Sequence, residues 1–126
     1  FLHNLQLFAV IMPLFDLTTN VKEVPENFHK ETTELVAQLL GKPSTVVGVQ
    51  VNAGAKLTFG GTDENSGMLH IYSAGKLGPE KNSEYAKAFS EHLEKHFRIP
   101  SGRLFIFFHD IARSDLAWNS KTLAGK

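Results

Sequence analysis

The pattern of apolar and polar positions divides most of the chain into alternating strand-like and helix-like segments. Residues 13 to 20 read "PLFDLTTN", an apolar-polar alternation that ends in a turn and predicts a strand. Further strands are predicted over residues 45 to 52 and over residues 68 to 76, where bulky side chains precede a glycine. Residues 103 to 110, "RLFIFFHD", are apolar on both faces and predict a fourth strand in the centre of a sheet.

Two helices are predicted between these strands. The first follows Pro25, which suits a first helical turn, and stops at "GKP" (41 to 43), a glycine followed by a proline. The second has Ser83 as its candidate cap and ends before "RIPSG". Apolar side chains recur at helical spacing along both segments. These stripes consist of Phe28, Thr32, Leu35, Val36 and Leu39 in the first helix, and of Tyr85, Phe89, Leu93 and Phe97 in the second.

The strand-helix-strand order occurs twice, with "KPS" (42 to 44) and "IPS" (99 to 101) at equivalent places. A duplicated β-α-β unit predicts an α+β fold: one four-stranded mixed sheet with both helices on one face. The other face of the sheet carries Phe and Val side chains that would be exposed to solvent in a single chain. This favours an oligomer in which the sheets of several subunits face each other.

Composition and charge narrow the possible partners. The chain has 126 residues, enough for one domain, and its 13 basic and 13 acidic residues cancel without a polybasic run. Neither a nucleic-acid footprint nor a membrane-surface patch is therefore predicted, and small molecules or proteins are favoured as partners. Cysteine is absent, which excludes disulfides, thiolate catalysis and cysteine metal sites.

The first segment, "FLHNLQLFAVI" (1 to 11), differs from the rest. It is apolar, but it lacks the basic start and the cleavage site of a signal peptide, and it is too short to span a bilayer. We expect residues 1 to 11 to be a non-native or processed leader, followed by a single domain over residues 12 to 126.

From Met12 to about Thr122 the chain resembles the family of macrophage migration inhibitory factor and D-dopachrome tautomerase. Six segments carry the resemblance in the family's order, and together they are far more specific than any one alone. They are "MPLFDLTTN", "LLGKP", "FGGTDENSG", "SAGKLGPEKNSEY", "IPSGRLFI" and "LAWNSKT". The resemblance implies a homotrimer of duplicated β-α-β units, found in the cytoplasm or secreted without a classical signal peptide.

The resemblance gives Pro13 a catalytic role. Members of the family lose the initiator methionine and use the exposed proline as a base in the keto-enol tautomerisation of phenylpyruvate-like and dopachrome-like compounds. A free α-amino group has a pKa of about 7.7 to 8.0 in short peptides, and burial and a nearby lysine lower this pKa. Pro13 would then be a neutral amine at physiological pH, able to take a proton from an acidic C–H.

Two further residues match the family's substrate site near the proline. Lys42 matches a lysine that can pair with a substrate carboxylate and stabilise enolate charge. Without the resemblance, Lys42 would be read as a solvated cation at a helix C-terminus. Ala74 stands where the family often has isoleucine, and its backbone N–H would be offered to the substrate carboxylate.

The remaining predicted pocket residues are mostly apolar. The resemblance places Phe105 and Phe107 where the family's best-known member has a tyrosine and an asparagine that line the pocket from the neighbouring subunit, and it implies that Leu116 and Trp118 complete the pocket wall. Such a pocket should hold an aromatic ring but lack the hydrogen bonds that recognise a ring hydroxyl. The alternatives are strand core for the two phenylalanines and a surface aromatic packed on the C-terminal tail for Trp118.

Two other motifs have simpler explanations. His92 and His96 have the i, i+4 spacing of helical metal ligands, but the sequence suggests no third ligand, so we predict neither a metal nor a cofactor. "FGGTDENSG" lacks the lysine and the following helix of a phosphate-binding loop and predicts a turn.

Two function classes remain open: a tautomerase, and a secreted cytokine-like trimer that binds a cell-surface receptor with a vestigial or blocked site. Retention of residues 1 to 11 would favour the second class, because the nitrogen of Pro13 would then be an amide.

Overall fold

A computed structural model describes residues 12–125, so the predicted leader over residues 1 to 11 lies outside the described residues. The elements follow the order strand, helix, strand, strand, helix, strand, with a small hairpin at the end. Their bounds are β1 Leu14–Thr19, α1 Phe28–Leu40, β2 Gly48–Asn52, β3 Gly67–Ser73, α2 Pro79–Phe97, β4 Leu104–Asp110, β5 Ala117–Trp118 and β6 Lys121–Thr122. Within the described range, no helix is both long and apolar enough to cross a membrane.

The four long strands form one mixed sheet in the order β2-β1-β3-β4. β1 is parallel to β2, β3 is parallel to β4, and the central pair β1 and β3 is antiparallel. Alternate side chains of the sheet join both helices in a single core, whereas the side chains between them face away. The prediction of an α+β fold with a duplicated β-α-β unit and two helices on one face is confirmed.

The prediction that β4 is central was wrong, because β4 lies at an edge and pairs only with β3 among the described strands. Leu104 is buried on the helix side, but Phe105 and Phe107 point to the opposite face and are 51% and 41% exposed. The second apolar face of β4 therefore belongs to the surface of the single chain and not to its core. This also excludes strand core as the explanation of these two phenylalanines within one chain.

The predicted start of the second helix was also wrong. α2 begins at Pro79, four residues before Ser83, with Gly78 as its cap. Proline is favoured at this first position because its missing N–H needs no partner there. The side chain of Asn82 accepts a hydrogen bond from the backbone N–H of Gly78 at 3.1 Å. Ser83 lies inside the helix and donates its hydroxyl to the carbonyl of Pro79 at 3.2 Å.

The first helix begins three residues after the proline that was expected in its first turn. The carbonyl of Pro25 accepts a hydrogen bond from the N–H of Phe28, the first helical residue, at 3.0 Å. The predicted stop is confirmed, since Gly41 ends the helix in the left-handed conformation with a φ of 68°. A short 3-10 turn over Ser44–Val46 then delays the start of β2 to Gly48.

The core is centred on Phe15 of β1. Its ring is fully buried and meets Phe89 of α2 edge-on, with ring centroids 5.5 Å apart, and Phe28 of α1 at 6.1 Å. Every residue of the predicted α2 stripe is buried, and in α1 the buried members are Phe28, Thr32 and Val36. The periodicity therefore identified the core face of both helices, but in α1 the predicted Leu35 and Leu39 are only partly buried and the buried Leu40 was missed.

The segment "FGGTDENSG" forms a turn, as predicted, and side chains that directly follow β1 and directly precede β4 hold it in place. Asn20 donates its amide to the carbonyls of Asp63 and Glu64 at 3.1 and 2.9 Å. Arg103 donates to the carbonyls of Phe59 and Glu64 at 3.1 and 3.0 Å. These bonds satisfy loop carbonyls and fix the connection between the two halves of the fold.

His92 lies at the contact between the two helices. Its Nε2 is 2.8 Å from the hydroxyl of Thr32 on α1, and its ring is 4.4 Å from that of His96. The pKa of His92 is lowered to about 4, mainly by burial and further by the neighbouring His96 and Lys95, while Glu31 partly opposes them.

We expect the chain to lose stability as the pH falls from about 6.5 to about 4. In this window the unfolded chain takes up a proton at His92 that the folded chain does not bind. Between pH 7.5 and 5 the loss should be on the order of 1 kcal/mol, because the ring is only half-buried. Urea unfolding at both pH values measures it, and His92→Gln, which keeps a polar group near Thr32, should show a smaller loss. An equal loss in the variant would exclude His92 as the cause.

Candidate functional site

Pro13 lies directly before β1 at the end of the sheet where β2 also begins. The residue is buried, and its carbonyl accepts a hydrogen bond from the N–H of Gly48 at 2.9 Å. This bond fixes the start of β1 against the start of β2. In the sequence the nitrogen of Pro13 is bonded to Met12, and it becomes a basic amine only when the chain begins at Pro13.

Lys42 and Ala74 come to the same end of the sheet. Because β1 and β3 are antiparallel and Leu14 lies opposite Tyr72, the chain that leaves β3 at Ala74 passes beside the start of β1. Because β1 and β2 are parallel, α1 returns antiparallel to them, and its C-terminus reaches the start of β2. Lys42 follows that C-terminus and is half-buried, while Ala74 is 2% exposed. The structure therefore brings Pro13, Lys42 and Ala74 to one end of the sheet.

Several residues that sequence reasoning missed hold the turn that carries Ala74. The hydroxyl of Ser73 donates to the carbonyl of Gly75 at 2.7 Å, and the carboxylate of Asp110 accepts the N–H of Gly75 at 3.3 Å. The phenol of Tyr85 donates to the carbonyl of Lys76 at 2.7 Å. The sequence signal for this turn was only the glycine after a predicted strand, which did not identify the partners from α2 and β4.

The phenol of Tyr85 remains a hydrogen-bond donor in this arrangement. Burial raises the pKa of Tyr85 above its usual value of 10.0, and the negative charge of Glu84 adds to the effect. The neutral phenol can therefore continue to donate to the turn at physiological pH.

Phe105 and Phe107 lie elsewhere on the same chain. Phe105 is opposite Met68, and Met68 is opposite Thr18, four residues along β1 from Leu14. At about 3.3 Å per residue this places Phe105 roughly 13 Å along the strand from the start of β1. Phe107 lies two residues nearer to the start of β1, on the same face of the sheet as Phe105. One chain therefore does not bring these rings to Pro13, and a large part of each ring is exposed.

Leu116 and Trp118 belong to the C-terminal hairpin. The carbonyl of Leu116 accepts the N–H of Leu123 at 2.9 Å, and Arg113 donates to the carbonyl of Leu123 at 2.8 Å. Trp118 is opposite Lys121 and is 51% exposed, so a large part of its indole is available to a partner or a ligand.

Two shallow clefts of the described residues lie along the outer surface of α2 and beside Arg103, and neither is lined by Pro13, Lys42 or Ala74. Among residues 12–125 no group of three or more His, Asp or Glu side chains is arranged to share a metal ion.

Comparisons with known proteins agree on one family. A family model described as "Macrophage migration inhibitory factor (MIF)" matches residues 12–124. The chain is 40% identical over 113 residues to a macrophage migration inhibitory factor homolog of Trichuris trichiura, covering 88% of this chain and 99% of the relative. It is 34% identical over 115 residues to macrophage migration inhibitory factor of Mus musculus, covering 90% and 100%.

Solved structures of macrophage migration inhibitory factors have a similar fold. The fold is similar to the macrophage migration inhibitory factor of Trichinella spiralis with a TM-score of 0.84 and 32% identity, covering 86% of this chain and 98% of the other. It is similar to a homologue from Prochlorococcus marinus with a TM-score of 0.84 and 28% identity, covering 87% and 98%.

Proposed function

We propose that this chain, which belongs to the macrophage migration inhibitory factor family, is a keto-enol tautomerase of phenylpyruvate-like or dopachrome-like compounds. The observation that carries the proposal is the convergence of Pro13, Lys42 and Ala74 at one end of the sheet. These are the residues to which the family resemblance gives the base and the carboxylate-binding groups.

The reaction needs one proton to move between carbon and oxygen. The neutral amine of Pro13 takes a proton from the carbon between the aromatic ring and the keto group, and the electron pair of that C–H bond forms the enolate. The ammonium of Lys42 and the backbone N–H of Ala74 hold the carboxylate and stabilise the negative charge. The proton then passes from the proline ammonium to the enolate oxygen, which restores the free amine.

A homotrimer would complete the pocket. Phe105 and Phe107 are exposed on an edge strand and lie away from Pro13 of their own chain. A neighbouring subunit that docks this edge near Pro13 would supply an apolar wall for an aromatic ring, with Leu116 and Trp118 as further contacts. The proposed partners are thus two further copies of the chain and a small aromatic keto or enol acid.

The second candidate function is a cytokine-like trimer that binds a cell-surface receptor. The observation that favours it is the peptide bond between Met12 and Pro13 in the sequence, which removes the basic amine. The intact mass of the protein from its native source, followed by a phenylpyruvate assay, separates the two candidates. A mass that begins at Pro13 together with turnover supports the tautomerase. Retained residues 1 to 11 without turnover would reject it in favour of the second candidate.

The substitution Phe107→Asn should change substrate preference. An amide at this position offers a hydrogen bond to a ring hydroxyl, and one such bond has a net value of about 0.5 to 1.5 kcal/mol, or roughly 2- to 10-fold. We expect the kcat/KM ratio of para-hydroxyphenylpyruvate to phenylpyruvate to rise by that factor in a chain that begins at Pro13. Phe107→Leu, which removes the ring without adding a polar group, is the control. An unchanged ratio in Phe107→Asn would remove Phe107 from the pocket.

A further inference from the structure

Two histidines meet on the face of the sheet opposite the helices. His70 of β3 and His109 of β4 are 39 residues apart in sequence, but the Nδ1 atom of His70 lies 2.8 Å from the Nε2 atom of His109. The register explains the contact, because Tyr72 pairs with His109 and His70 lies on the same face two residues before Tyr72. The sequence did not predict a metal site here, since the contact depends on this register.

The two imidazoles face each other nitrogen to nitrogen. Their ring centroids are 5.0 Å apart and their planes differ by 22°, so with a nitrogen separation of 2.8 Å the rings are nearly coplanar and in line. One ring donates an N–H and the other accepts it with its lone pair. The pair thus presents two ring nitrogens that share one proton.

Aromatic rings stack on the flat faces of both imidazoles. Tyr72 stacks on His109 with centroids 4.3 Å apart, and Phe107 stacks on His70 at 4.7 Å. Asp16 of β1 is opposite His70 in the register, but its carboxylate accepts hydrogen bonds from Gln50 and Asn52 of β2, both at 3.3 Å. Both histidines are half-buried in the single chain, so part of each ring can be reached by solutes there.

We propose that His70 Nδ1 and His109 Nε2 bind a divalent transition-metal ion of the type that prefers imidazole, with Zn²⁺ as the representative. Binding replaces the shared proton: the ring that carries it moves its proton to its other nitrogen through solvent, and both facing lone pairs bind the ion. At metal–nitrogen distances of about 2.0 to 2.1 Å, tetrahedral geometry needs nitrogens roughly 3.3 Å apart. Rotation of the two rings turns their facing lone pairs toward one ion and supplies the difference, and water completes the coordination.

The helical pair His92 and His96 is a poorer candidate despite its i, i+4 spacing. The Nε2 atom of His92 is already 2.8 Å from the hydroxyl of Thr32. The Nε2 atom of His96 is buried without a hydrogen-bond partner and lies 3.9 Å from a carboxylate oxygen of Glu31. An ion would have to enter the helix contact and break the bond to Thr32. The experiment below includes this pair as a competing outcome.

Isothermal titration of the full chain with ZnCl₂ at pH 7.5 tests the proposal. We expect one ion per chain, and on the order of a hundredfold weaker binding in His70→Gln and in His109→Gln, because either change leaves a single imidazole without its chelate partner. The double variant should bind no more weakly than the single variants. His29→Gln, at an exposed position of α1, should bind like the unchanged chain and serves as the matched control.

Three results would overturn the proposal. They are the absence of saturable binding to the unchanged chain, unchanged affinity in either single variant, and loss of binding in His92→Gln in place of the sheet variants. Glutamine retains a polar side chain of similar length, and far-UV circular dichroism verifies that each variant is folded. Long-range proton-nitrogen NMR spectra of the histidine rings provide a second measurement. Zn²⁺ should move the Nδ1 signal of His70 and the Nε2 signal of His109, and unmoved signals would contradict the assignment of the ligands.

Discussion

A chain that begins at Pro13 should tautomerise phenylpyruvate at least about 100-fold faster than the same chain with one methionine before the proline. A positioned general base contributes roughly 10²- to 10⁴-fold, and acylation of the proline nitrogen removes its lone pair from proton transfer. The hydrogen bond from Gly48 to the carbonyl of Pro13 holds the residue at the start of β1. The extra methionine should therefore change the rate and leave the fold intact. The measurement is the rate of keto-enol conversion followed by ultraviolet absorbance.

Pro13→Gly in a chain that begins at residue 13 tests whether catalysis needs the pyrrolidine ring as well as the α-amino group. Glycine keeps an α-amino group but loses the pyrrolidine ring that fixes the direction of its lone pair. Turnover should fall strongly while circular dichroism and sedimentation stay the same. Full activity of the methionine-extended chain would show that Pro13 is not the base, and full activity of Pro13→Gly would show that the pyrrolidine ring is not needed.

Phe15→Ala should lower the free energy of unfolding by about 3 to 5 kcal/mol, a typical range for the loss of a buried phenylalanine ring. The ring is fully buried and contacts Phe28 and Phe89, which belong to different helices. The cavity would therefore open where the sheet and both helices meet, and collapse around it would be limited. Urea denaturation monitored by circular dichroism measures the loss.

Phe105→Ala is the matched control for this change. The same atoms are removed from a ring that is 51% exposed, so in dilute protein the loss should be about 1 kcal/mol or less. A larger loss that grows with protein concentration would instead report a contact between subunits. Equal, concentration-independent losses for Phe15→Ala and Phe105→Ala would contradict the position assigned to the core.

The fold was predictable from sequence where one face of an element is buried by its own chain. The stripe of α2 from Tyr85 to Phe97 follows helical spacing and is buried throughout. The same reasoning failed for β4, since an exposed apolar face has the same sequence pattern as one turned toward a core. The start of α2 was misplaced because Ser83 looked like a cap, whereas the Gly78-Pro79 step begins the helix.

The candidate site was predictable only in part. Pro13, Lys42 and Ala74 came from the family resemblance, and the topology explains why they share one end of the sheet. Contacts that depend on strand register could not be obtained from periodicity, which gives the face of a residue but not its neighbour. The bond between Asp110 and Gly75 and the contact of His70 with His109 are of this kind.

The two edges of the sheet have a consequence for solubility. Within the described chain, β2 and β4 each present a row of backbone groups without a strand partner on their outer side. Such rows can template fibre growth. The edges lie on opposite sides and differ in sequence, so pairing one with the other between copies is a head-to-tail contact that either closes as a ring or continues as a filament. A closed trimer in which β4 of each copy covers β2 of the next would leave no edge to extend, and the assembly that completes the pocket would also terminate polymerisation.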